Sequence, residues 1–187
     1  MFLRSIVLAL MLMPSPAPSQ QAVPPPPKPA DSGPTLEVTM QFIQDKLNEM
    51  GKISRVRVIH NTQDDSYLKQ TLAEEIADAM AEPAECHIAY HLKFWVDGEF
   101  KGESSAEFAL RDVQDLVLGS EQDLARPSVL PYLVIESTTP AITVLKVRKS
   151  HSQYDLLSFS DAQLADRVAK ALTHAVELCG GGNKDPF

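Results

Sequence analysis

Cys86 and Cys179 are the only cysteines in this 187-residue sequence, and their chemistry depends on the compartment the chain occupies. An even cysteine count in an oxidising compartment predicts a disulfide, whereas a cytosolic pair stays reduced. Directly after Cys86 stand His87, His91, Lys93 and Trp95, all within the run CHIAYHLKFWVDG. Two histidines four apart grip one metal ion on a helix, where a single turn brings them together. On a strand the same spacing spans about 13 Å, too far for one ion. Asp112 and Asp115 offer a pair of carboxylates, but acid–base work needs a pocket and displaced pKa values. Nothing in the sequence signals either. Ser104, Ser105, His151 and Ser152 lack the G-x-S-x-G setting of an activated nucleophile. There is no Walker loop, no G-x-G-x-x-G and no paired C-x-x-C. No catalytic residue, metal ligand or cofactor is assigned.

The compartment is read from the first residues. A charged start ending at Arg4, the apolar run SIVLALMLM and the small residues Ser15, Ala17 and Ser19 match a signal peptide over residues 1–20. The run has about half the roughly 20 residues a bilayer-spanning helix needs, so no integral membrane segment is expected after the leader is removed. No cysteine follows it to accept a lipid. Export, to the periplasm or outside the cell, supplies the oxidising chemistry a bridge requires. Residues 21–34 read as a proline-rich linker, in which four consecutive prolines, 24–27, are expected to form an extended polyproline II rod. It reads as a spacer rather than a ligand for an SH3-like partner. A single globular domain over 35–180 and a flexible tail over 181–187 complete the chain.

That leaves about 150 residues, enough for one domain with a real core. The chain carries 17 basic and 25 acidic residues, a net charge of −8 and a pI near 5.1. Phosphate backbones attract clustered Lys and Arg, and no such cluster exists, which excludes nucleic acid and disfavours an anionic membrane surface. Lys52, Arg55 and Arg57 form one small basic strip.

Several elements must position these residues. Leu36, Met40, Ile43, Leu47 and Met50 gather on one face, predicting a helix over 35–50 between Pro34 and Gly51. Val56 and Val58 alternate with Arg55 and Arg57, predicting a strand over 53–59 with one apolar and one basic face. Residues 61–66 are a turn. Over 67–81 the spacing of Leu68, Leu72, Ile76 and Met80 and the Ala/Glu content favour a helix, with a strand as the alternative. Residues 87–97 form a strand whose face of Ile88, Tyr90, Leu92, Phe94 and Val96 is apolar and whose other face is mostly polar. The polar face, with His87, His91, Lys93 and Trp95, is the candidate binding surface. The Asp97–Gly98 hairpin that follows needs an odd-length loop or a bulge to keep Ile88 opposite Phe108.

Further strands are predicted over 113–118, 132–136, 142–148 and 154–159, with a loop over 119–131 and a turn over 137–140. A helix from Asp161 to about Cys179 closes the domain. Ser160 is its expected N-cap, Gln163 completes a capping box, and Phe159 and Leu164 form a staple. Its stripe is Ala165, Val168, Leu172, Val176 and Cys179. Cys86 and Cys179 thus both face one helix–sheet interface and are expected to bridge; two separate buried thiols are the alternative.

The fold expected is α+β: an N-terminal helix, antiparallel strands in a partly open barrel or sheet, and a C-terminal amphipathic helix packed on it. Over about residues 53–179 this order resembles the pleckstrin-homology-like barrel, in which a terminal helix plugs one end; the leading helix is an addition. The segments CHIAYHLKFWVDG and ADRVAKALTHAVELCGGG are similar to uncharacterised exported bacterial proteins, a likeness that implies no activity. The acidic charge and exported location argue against phosphoinositide binding. The function expected is a non-catalytic interaction module of the cell envelope, whose partner is an envelope protein. An unrecognised enzyme, most simply a hydrolase, is the alternative. Oligomeric state has no sequence signal.

Overall fold

The computed structural model describes residues 33–124, 132–150 and 153–182. The expected leader, nearly all of the expected linker, most of the expected tail, residues 125–131, His151 and Ser152 lie outside them. Helix α1 (Leu36–Glu49) begins at Thr35, whose hydroxyl accepts from the Val38 N–H, and buries Met40, Ile43 and Leu47. Strands β1 (Lys52–Asn61), β2 (Ser66–Glu82), β3 (His87–Val96) and β4 (Glu99–Ala109) follow as consecutive antiparallel hairpins. A 3-10 turn (Leu110–Asp112) leads to β5 (Asp115–Ser120) and the short helix α2 (Glu121–Leu124). Then come β6 (Leu133–Thr139), β7 (Thr143–Arg148), β8 (Tyr154–Phe159) and helix α3 (Ala162–Leu178).

Strand β6 returns to pair with β1, so one sheet has the order β4-β3-β2-β1-β6 and the second the order β5-β7-β8. The two do not close into a barrel. α3 packs on α1 and on the three-stranded sheet, and its Ala165, Val168, Leu172 and Val176 stripe is buried. The core joins this stripe to Met40, Ile43 and Leu47 of α1, Ile88 and Tyr90 of β3, Phe108 of β4, and Leu145, Leu157 and Phe159 of the second sheet. This is the expected α+β architecture, an open arrangement of antiparallel strands with one helix before the first strand and another after the last. Among the described residues no helix is long and apolar enough to cross a membrane.

Residues 66–82, expected as a helix, form the longest strand. Residues four apart share a face in either conformation, so the spacing of Leu68, Leu72 and Ile76 does not discriminate. Pairing with β1 on one side and β3 on the other overrides the Ala/Glu helix preference. A bulge between Ala77 and Met80, with Asp78 at φ 53°, then reverses the alternation. Ala79 turns inward and Met80 outward. Beyond Glu75, β2 has no partner in β1. Helix α1 takes that edge instead. The Asn48 side chain donates to the Ala79 carbonyl and accepts from the Ala79 N–H, each at 2.9 Å, and Gln44 accepts from the Ala81 N–H at 2.9 Å.

Other departures are local. The 97–98 turn is a two-residue loop pairing Val96 with Glu99, and of the two expected solutions it is the bulge, at Phe94/Trp95, that sets Ile88 opposite Phe108. The N-cap of α3 is Asp161 rather than Ser160: its carboxylate accepts from the Gln163 and Leu164 N–H groups at 2.8 and 3.3 Å. A carboxylate one residue nearer the first free N–H groups wins over the hydroxyl. The strand expected over 113–118 starts later, at Asp115, because residues 110–112 form the 3-10 turn. β6 continues through the turn expected over 137–140 to Thr139, since Thr138 and Thr139 still find partners in β1. The 119–131 loop contains α2.

Candidate functional site

The backbone turns through φ 55° at Cys86, just before β3, which aims its side chain at the end of α3. There Cys179 is the C-cap. The two sulfur atoms are bonded at 2.02 Å, with Cα atoms 5.9 Å apart, across a sequence separation of 93 residues. Just beyond, Gly181 and Gly182 donate to the carbonyls of Val176 and Val113, tying the residues after α3 to the turn before β5.

His87, His91, Lys93 and Trp95 all lie on the outer face of β3, opposite the core. His87 Nε2 is 3.8 Å from Glu107 Oε2, and His91 Nδ1 is 3.5 Å from Asp78 Oδ2. Lys93 sits between Glu75 and Glu103 in the ladder. Trp95 is partly covered: Lys52 Nζ stands 3.6 Å from its ring centroid, and Phe100 packs against it at 5.5 Å. The histidines do not converge on one point, and among the described residues no cluster of His, Cys, Asp or Glu could hold a metal ion.

Lys52 thereby leaves the basic strip expected with Arg55 and Arg57. It points outward, while the arginines share the inner face with Ile53. Arg55 is buried, with Nε 3.1 Å from Glu121 Oε1 and Nη2 3.2 Å from Glu74 Oε2. Arg57 donates to the same Glu121 oxygen. Arg55 Nη1, Arg57 Nε and Glu121 Oε2 are buried without a hydrogen-bond partner among the described residues. The apolar residue sharing parity with the arginines, Ile53, was the signal that this face is internal. Glu121 had no signal at all.

Two carboxylates flank His60 farther along the outer face. Its Nε2 lies 2.8 Å from Asp65 Oδ1 and its Nδ1 3.0 Å from Glu136 Oε1. The Tyr67 ring stacks on it at 4.5 Å and 5°. Ionised carboxylates only accept, so holding both requires a proton on each ring nitrogen. The Asp65 hydrogen bond, followed in effect by Glu136 and opposed by desolvation, raises the His60 pKa above its ordinary 6.5. Hydrogen bonds from the Ser66 hydroxyl and N–H hold the nearby Asp64 carboxyl below its usual range. On the inner face, burial pushes the Tyr90 phenol far up. Sequence reasoning passed over His60, because one of its partners is in a turn and the other is distant in the chain.

A groove of about 650 Å³ runs past His87, Glu107, Asp112 and Lys149. Lys149 is committed to Asp155 at 2.9 Å. No hydroxyl or thiol lines the groove among the described residues. Asp115 pairs with Arg148, 2.7 Å from its Nε, which leaves it structural. Ser104 and Ser105 lie side by side on β4, with Ser105 opposite His91. No protein-family model, curated protein or solved structure matches the chain.

Proposed function

We propose that the chain is a non-catalytic interaction module, exported and held at a distance by its proline-rich linker, whose outer sheet face docks a protein of the cell envelope. One observation carries this reading. Tyr67, Met80, Phe100 and Val134 are 62%, 55%, 54% and 43% exposed and share that face with Trp95, where no described helix covers them. Uncovered apolar side chains set among charges are a feature of interaction surfaces. Aromatic rings give large contact area for little lost rotamer freedom. The acidic charge supports a protein partner over a nucleic acid. The disulfide supports an oxidising location. The likeness in element order to the pleckstrin-homology-like barrel agrees with a binding role but assigns no ligand.

Capture from envelope extract by the mature chain, compared with Trp95→Ala and Phe100→Glu variants of unchanged circular dichroism, tests the reading. The wild type should retain a partner that both variants lose. Equal recovery by all three, or none by the wild type, overturns it.

A further inference from the structure

We propose that His60 is a pH-operated clasp, holding the edge strand β6 onto the β1–β2 hairpin when its ring is protonated and releasing it when the ring is neutral. The inference goes beyond the docking role and does not depend on it. Three irregular or unusual placements converge on one imidazole. Val58 pairs with Ser137 while Ile59 pairs with Ile135, so Glu136 is the extra residue of a bulge. Bulges re-aim side chains, and this one turns the Glu136 carboxylate onto Nδ1. Asp65 adopts φ 56° in the β1–β2 turn, which brings its carboxylate onto Nε2. Tyr67, the cross-strand partner of His60, covers the ring face and favours a cation beneath it.

The two carboxylates sit at opposite ring nitrogens, so they cannot share one metal ion with the ring. What they grip is a proton. The charges facing His60 from its neighbours are Asp64 and Asp65 of the turn, Lys69 of β2 and Glu136 of β6, with the Tyr67 phenol beside them. Asp64 is already engaged by Ser66, and acids outnumber bases around the ring. Among the described residues β6 lies at the sheet edge and pairs with β1 alone, so a side-chain contact from Glu136 to a β1 residue adds directly to the backbone pairing that holds it.

The sign follows from the raised pKa of His60 in the folded chain. The clasp is complete below the ordinary histidine value and is lost as pH rises through the raised one. The test is a nuclear magnetic resonance titration of the full chain over roughly pH 5 to 9, following the His60 ring and the amide protection factors of Val134 and Ile135. The midpoint should lie above 6.5 and fall toward it in both Asp65→Asn and Glu136→Gln. β6 protection, corrected for intrinsic exchange, should drop about two- to five-fold across the titration, while β7 amides stay constant. A wild-type midpoint at or below 6.5, or β6 protection that ignores the titration, overturns the proposal.

Discussion

Replacing Glu121 with Gln should destabilise the domain well beyond the effect of an ordinary surface charge. The Glu121 side chain is only 6% exposed and serves Arg55 and Arg57, themselves 7% and 21% exposed. The substitution keeps the shape but removes the charge that neutralises both guanidinium groups. Breaking a buried pair costs about 3–5 kcal/mol, because the partner remains as an uncompensated charge. Arg55 retains Glu74 and Arg57 is a fifth exposed, which places the expectation near the lower bound, about 3 kcal/mol. For a domain of this size that lowers Tm by about 6–12 °C and the urea midpoint by roughly 1–3 M at constant m. Urea unfolding of the oxidised protein, followed by circular dichroism, is the assay. Adding Arg57→Met should recover part of the loss, since the unpaired cation is then gone. A cost below about 0.5 kcal/mol, typical of an exposed pair, would show that α2 does not seat its carboxylate over β1 and would refute the reasoning.

Three further outcomes follow from other contacts. Reducing the Cys86–Cys179 bridge, or replacing both residues with Ser, should cost about 4–5 kcal/mol in the chain-entropy description of so long a loop; a urea midpoint unchanged by dithiothreitol would contradict this. Gly181→Ala would place a Cβ 2.2 Å from the Leu110 carbonyl oxygen, so overpacking should remove about 1–3 kcal/mol, and calorimetry should show a clearly lower Tm. Asn48→Ala strips both side-chain hydrogen bonds from Ala79. It should cost about 1–3 kcal/mol and speed amide exchange at Ala79 and Ala81 more than elsewhere in β2.

Elements with a clean period were legible in the sequence to within a residue or two. α1 follows the Met40, Ile43, Leu47 stripe, β3 the alternation from Ile88, and α3 the Val168, Leu172, Val176 stripe. Those two faces also put Cys86 and Cys179 at one interface. β2 was not legible, because a spacing of four residues is even and serves a strand as well as a helix. Its outcome rests on pairing with β1 and β3, which no local window contains. The same holds for β6, whose register depends on β1 far upstream. The outer face of β3 could be listed from parity alone, but the Lys52 cover over Trp95 could not, since it needs the β1–β2–β3 order. The sequence groups Arg55 and Arg57 with Lys52 as one basic strip, because alternation says which residues share a face, not which face is inside. His60 escaped because half of its setting comes from a bulge, and a bulge has no period.

The packing of α1 against α3 joins the first described helix of the chain to its last. During synthesis, α1 and the β1–β4 hairpins emerge with their apolar faces open, and Leu172 and Val176 arrive only at the end. The hairpins pair locally as they appear, yet the core cannot shut until the final helix has been made. A chain stopped before residue 162 would lack the Ala165, Val168, Leu172 and Val176 stripe that packs into this core, leaving apolar surface open to aggregation. Closure of this core therefore waits on α3: only a chain translated past residue 176 can bury these residues against Leu172 and Val176.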